Sequence, residues 1–190
     1  MFILYAVLIG LAVGLALGGR LLAIGDLRVR WWPLIFVGFL TQVVLFSEQV
    51  SSVIGDAGPP LYIVSTLMVG VAILRNLAIP GMPLIVVGAV CNMTAILAND
   101  GYMPSTAEAL AAIGKSTSTV YTNSALVEDP AFPWLIDRFV LPSWLPFTNV
   151  FSIGDVILGV GVAWLIVATM GRGRGTAGDP VSSPAGAVAR

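Results

Sequence analysis

Long apolar runs separated by short polar breaks make up most of this chain. Five of them approach the ~20 residues that an α-helix needs to cross a bilayer: residues 2–22, 33–50, 61–77, 83–98 and 149–170. The third and fourth are joined by NLAIPGMP, a Pro/Gly turn that predicts a helical hairpin. The first run has no basic start, and Arg20 follows it, so it reads as a membrane helix rather than a signal peptide. The pattern predicts an all-α fold, an integral membrane bundle of five transmembrane helices. Residues 1–170 form a single membrane domain in this reading, with a loop region at 99–148 between helices four and five.

Within that loop, PSTAEALAAIG predicts a short helix with Ser105 as N-cap, Glu108 completing a capping box and Gly114 as the stop. STSTVYTNSAL predicts a small hairpin. PAFPWLIDRFVLPSWLPF mixes proline with large apolar residues and predicts an interfacial helix over residues 133–140, followed by an extended return to the membrane. Residues 171–190 are rich in Gly, Pro, Ser and Ala without apolar periodicity, which predicts a disordered cytoplasmic tail.

Composition agrees with the pattern. The chain is 57% hydrophobic and 10% charged, with a mean hydropathy of +0.96, whereas a soluble domain carries about 25% charged residues. The net charge is −1 and no basic run exists to follow a phosphate backbone, so nucleic acid is not an expected partner; the lipid bilayer is. With no histidine, histidine-based triads and histidine-ligated zinc are excluded, and the one cysteine, Cys91, permits no intramolecular disulfide. No cofactor or metal is expected.

Charge also predicts orientation. Arg20, Arg28, Arg30, Arg75, Arg172, Arg174 and Arg190 fall on one side of a five-helix arrangement, and only Lys115 and Arg138 fall on the other. The positive-inside rule then places the N-terminus outside and the C-terminus in the cytoplasm.

The polar and small residues inside the apolar runs are the candidate functional ones. Gly10, Gly14 and Gly18 recur every fourth residue in the first run. Such a ridge predicts close helix packing, within the chain or against a membrane-protein partner or a second copy. Thr41 and Gln42 share a face of the second helix, Gly88, Asn92 and Asn99 one of the fourth, and Ser152, Asp155 and Gly159 one of the fifth. These stripes predict a polar cluster between helices two, four and five. Asp155 stands out, because a charge in the hydrocarbon costs ~3 kcal/mol on insertion scales. It is expected to point into the bundle, with Asp137 or Arg138 closing over it.

The segment FPWLIDRFVLPSWLPFTNVFSIGDVILGVG resembles the end of lipoprotein signal peptidase, a membrane aspartic protease. That family carries Phe-Asn-Val-Ala-Asp at the top of its last helix; Phe151, Ser152, Ile153, Gly154 and Asp155 occupy those places here, with serine replacing asparagine. Its other catalytic aspartate lies about eighteen residues earlier, where this chain has Asp137. The resemblance implies that Asp137 and Asp155 form a catalytic dyad. Along its whole length the chain resembles an uncharacterised family of small bacterial membrane proteins that share a GGRL start, an NxGxMP-like loop and an NVFSIGD ending. That resemblance implies the bacterial cytoplasmic membrane and supplies no activity.

Two functional readings follow. The first is a non-catalytic accessory or scaffold protein using the glycine face of helix one. The second is a membrane-embedded aspartic hydrolase acting at the outer lipid surface through Asp137 and Asp155. The first ranks ahead, because likeness of fold does not transfer activity; whether the protein is an enzyme at all stays open at this point.

Overall fold

The computed structural model describes residues 2–113 and 124–172. Most of them are helical. The elements, in chain order, are α1 (Phe2–Ala16), a 3-10 helix (Leu21–Asp26), α2 (Trp32–Leu45), α3 (Glu48–Ser51), a 3-10 turn (Gly55–Ala57), α4 (Gly58–Leu74) and α5 (Met82–Leu97). The loop region follows with β1 (Met103–Ser105), α6 (Ala107–Ala112), β2 (Ser124–Leu126), β3 (Phe139–Val140) and β4 (Val150–Phe151), and α7 (Ile153–Arg172) ends the described chain. Proline in the first turn starts α2, α4 and α5, where its missing N–H costs no helix hydrogen bond.

Two stretches are long and apolar enough to cross a membrane by themselves: Gly55–Leu74 and Ile153–Arg172, each of 20 residues. Phe2–Ala16, Trp32–Leu45 and Met82–Leu97 are apolar but shorter. The first and second apolar runs therefore yield shorter helices than their length predicts. Gly18, at a left-handed φ of 75°, turns the chain after α1, and the helix of the second run stops at Leu45 before the short α3.

The long helices pack in the order α2–α4–α5–α7–α1. Their interior is made of small residues. Gly10 and Gly14 of α1 are buried against Ala163 and Met170 of α7. Gly159 lies against Phe2 and Ala6 on the same side of α7. Gly18, the third member of the predicted ridge, is exposed and contributes the turn instead of a helix contact. On its other side α7 meets α5 through two glycine pairs, Gly81 with Gly161 and Gly88 with Gly154. A Cβ on Gly88 would lie 2.5 Å from the Gly154 carbonyl oxygen, so the two backbones are nearly in contact. Large apolar side chains such as Leu8, Ile9, Phe36, Phe39, Val43, Val90 and Trp164 point outward. Small inside and large outside inverts the arrangement of a water-soluble core and suits a surround as apolar as the side chains themselves.

In the loop region, β1 pairs with β2 in parallel and β3 with β4 antiparallel, Phe139 opposite Phe151 and Val140 opposite Val150. Phe151 stacks on Phe2 with ring centroids 4.6 Å apart and on Phe139 at 5.5 Å, and the Tyr5 hydroxyl donates to the Pro146 carbonyl. The start of α1 is thus tied to the loop region.

Two predicted loop features differ from the structure. Residues 133–140 form no helix: turns lead into Asp137, which bridges in parallel to Ser105, and then into β3. Backbone bonds to β1, Asp137 N–H to the Pro104 carbonyl at 2.9 Å and Thr106 N–H to the Asp137 carbonyl at 3.1 Å, outcompete local helix formation. The cap of α6 is Thr106, whose hydroxyl accepts from the Ala109 N–H at 3.2 Å, because Ser105 is committed to β1; Glu108 then falls one place too early to complete a capping box. The predicted hairpin, Gly114 and the tail beyond Arg172 lie wholly or largely outside the described residues; of the hairpin only β2 is described.

The near-contact of α5 and α7 gives a direct expectation. Gly88→Ala should destabilise the bundle by about 1–3 kcal/mol through overpacking against backbone that cannot yield. Gly70→Ala on α4, where an added Cβ meets nothing within 4 Å, should leave the detergent thermal midpoint unchanged or slightly raised.

Candidate functional site

The polar groups gather where α5 ends, α7 begins and the loop region folds over both. Ser152 and Asp155 cap α7 reciprocally. The Asp155 N–H donates to the Ser152 hydroxyl at 3.1 Å, and the Ser152 N–H donates to Asp155 Oδ2 at 3.0 Å. This is the geometry of a capping box with aspartate as its acid. It satisfies two of the orphan donors at the helix start and sets a carboxylate against the positive end of the helix dipole.

Asn92 ties the cap to α5. Its Nδ2 donates to Asp155 Oδ1 at 2.7 Å, and its Oδ1 accepts from the Ser152 hydroxyl at 2.8 Å. Gly154 makes this contact feasible, since any side chain there would occupy the space of the Asn92 amide. Asn92, Ser152 and Asp155 therefore form one closed network, with Ser152 fully buried.

Asn99, just past the end of α5, does different work. Its Nδ2 donates to the Ala95 carbonyl at 2.7 Å and the Ala131 carbonyl at 3.1 Å, while its Oδ1 accepts from the Ala131 N–H at 2.9 Å. It seats the loop that leads to Asp137.

Asp137 is buried, at 6% exposure, although it belongs to the loop region. Burial pushes its carboxyl up from an ordinary 3.8 to about 7, and the negative Asp155 adds to the rise. The two predicted aspartates are therefore brought within range of mutual repulsion. Ser105 pairs with Asp137 across the bridge, so their side chains share a face. Ser105 is 2% exposed, and among the described residues its Oγ has no hydrogen-bond partner. An unpaired buried hydroxyl costs about 1–3 kcal/mol.

The remaining predicted members fall elsewhere. Gln42 donates to Thr66 on α4 at 3.1 Å, because α2 packs on α4 and not on α5 or α7. The expected cluster of three helices is a cluster of α5, α7 and the loop region. Arg138 is exposed and, among the described residues, bonds to neither aspartate. No three His, Cys, Asp or Glu side chains among the described residues gather where they could hold a metal ion.

The reading of the sequence missed Ser105 as a neighbour of Asp137, the glycines Gly81, Gly154 and Gly161, and Asn76. Asn76 is buried at the opposite end of the bundle, where it bonds both the N–H and the carbonyl of Arg30. A signal for the cap was present: Ser-x-x-Asp directly before an apolar run marks a helix start.

A model of a family of unknown function, DUF5317, matches residues 26–167. The chain belongs to that family. No curated protein and no solved structure matches it. The uncharacterised-family expectation is met, and the likeness to lipoprotein signal peptidase gains no support from this membership.

The Asp137 carboxyl has a pH consequence. Between about pH 4 and 7 the folded state keeps a proton that the unfolded chain releases, so this group's contribution to stability falls as pH rises through that window. In thermal unfolding, Asp137→Asn should stabilise the protein about three times as much at pH 8 as at pH 5, because at pH 5 only the first part of that window has been crossed. Equal effects at both values would contradict the burial argument.

Proposed function

We propose that this is an integral membrane protein whose five long helices cross the bilayer, and that it acts as an aspartic-type hydrolase at the outer lipid surface through Asp137 and Asp155. The observation that carries the catalytic part is the buried Asp137, raised to about 7 beside a second carboxylate. Two carboxyl groups in different environments can divide the roles of acid and base between them.

The roles follow from the bonding. Asp155 is arranged as an acceptor by Asn92 and Ser152 and is the base. Asp137, protonated up to about neutrality, is the acid. In the reaction, a water gives a proton to Asp155 as its oxygen bonds to the substrate carbonyl carbon, and Asp137 gives its proton to the carbonyl oxygen. Collapse of the tetrahedral intermediate breaks the bond to the leaving group, which takes the proton from Asp155, and Asp137 recovers its own. The substrate class is a peptide or a lipid-linked acyl compound at the membrane surface.

A non-catalytic reading rests on a different observation: the capping box and Asn92 account for Asp155 structurally. The accessory role through helix one is weakened, since Gly10 and Gly14 are used inside the chain.

The test compares membranes from cells expressing the wild type, Asp137→Asn or Asp155→Asn, by mass spectrometry of new peptide ends and released acyl products. Hydrolysis predicts products that disappear in both variants while the proteins remain folded. Identical product profiles for the wild type and the folded Asp137→Asn variant would reject it.

The topology has its own test. The arginines at the end opposite the loop region support a cytoplasmic C-terminus. A reporter active only in the cytoplasm should work when fused after Arg174 and stay silent when fused near Ser118; the reverse pattern would invert the orientation.

A further inference from the structure

At the end of the bundle away from the carboxylates lies a cavity of about 250 Å³. Asp26, Leu27 and Arg28 contribute to it from the 3-10 helix and the residues after it, Ile79 from the α4–α5 turn, and Thr169 and Arg172 from the last turn of α7. Its walls are apolar where Leu27 and Ile79 stand, and its charged groups are two guanidiniums and one carboxylate. Asp26, Arg28 and Arg172 are exposed, and among the described residues no ion pair joins Asp26 to either arginine. The Thr169 hydroxyl donates to the Leu165 carbonyl at 2.7 Å, which leaves its oxygen free to accept.

The position is as informative as the composition. Arg172 ends the 20-residue apolar helix α7, so the cavity sits at the depth where an apolar span gives way to headgroups. Leu15 of α1 and Trp164 of α7 are among the exposed apolar side chains of the bundle that acyl chains could cover.

We propose that this cavity binds the headgroup of a zwitterionic phospholipid with a primary ammonium, of the phosphoethanolamine type. Arg28 and Arg172 take the phosphodiester, for which planar guanidinium forks are well suited. Asp26 takes the ammonium, which can donate hydrogen bonds to a carboxylate as a quaternary choline cannot. A purely anionic headgroup would leave Asp26 facing like charge, so the carboxylate selects as well as binds.

The experiment is native mass spectrometry of the full chain purified in detergent and exposed to equimolar phosphatidylethanolamine, phosphatidylglycerol and phosphatidylcholine. The wild type should retain phosphatidylethanolamine several-fold over the other two. Arg28→Gln with Arg172→Gln should lower retention of all three about tenfold. Asp26→Asn should erase the preference for phosphatidylethanolamine over phosphatidylglycerol while total lipid retention persists. A second measurement needs only the wild type: phosphatidylethanolamine, and not phosphatidylcholine, should raise its thermal midpoint. Equal retention of the three lipids by the wild type overturns the proposal, as does undiminished retention by the folded double variant. Soluble glycerophosphoethanolamine binding as tightly as the lipid would overturn the assignment to a membrane lipid.

Discussion

The separation of α5 and α7 governs the candidate site. Asn92 reaches Asp155 and Ser152 only because Gly88 and Gly154 let the two backbones come nearly into contact. Gly81 and Gly161 repeat the device two turns away. In a lipid surround, as proposed above, little driving force exists for burying apolar side chains, and closeness and hydrogen bonds would have to hold such helices together. The network at Asp155 supplies the bonds, and the glycines supply the closeness. Neither is effective alone: a wider gap would strand the carboxylate, and glycine contacts without Asn92 would leave the helices free to slide.

That lock places the loop region as well. The cap fixes where α7 starts, and β4 precedes it directly, so the position of Phe151 between Phe2 and Phe139 follows. Asn99 holds Ala131 from the end of α5, and β1 holds Asp137 through backbone bonds. Asp137 is buried because these supports converge on it from both sides. Its raised proton affinity is thus a result of the fold around it rather than of its local sequence.

The helices were legible because apolar runs bounded by proline and glycine leave few alternatives; α4, α5 and α7 lie within a few residues of the runs that predict them. The stripes on the fourth and fifth helices were also legible, since Asn92 and Ser152 stand at helical spacing from the residues they accompany. The placement of Gln42 was not. A stripe shows which face is polar but not which neighbour that face meets, and α2 turns it toward Thr66. The stretch around residues 133–140 misled for a related reason. Its apolar content suggests a surface helix, whereas pairing with β1 across about thirty residues decides its form, and local sequence carries no trace of such a partner.

A carboxylate in an apolar run can be there for structure or for chemistry, and Asp155 serves the first without being lost to the second. The cap and Asn92 use one acceptor site on each oxygen, and an ionised carboxylate offers about four. The bonds that fix the side chain thus leave it capacity to accept a proton. Asp137 is held differently: backbone bonds to Pro104 and Thr106 fix it on both sides. A purely structural arrangement would gain nothing from leaving the Ser105 hydroxyl beside Asp137 buried and, among the described residues, unpaired, because an unpaired buried group lowers stability. That unrelieved cost is the physical reason to look for chemistry at this end of the bundle.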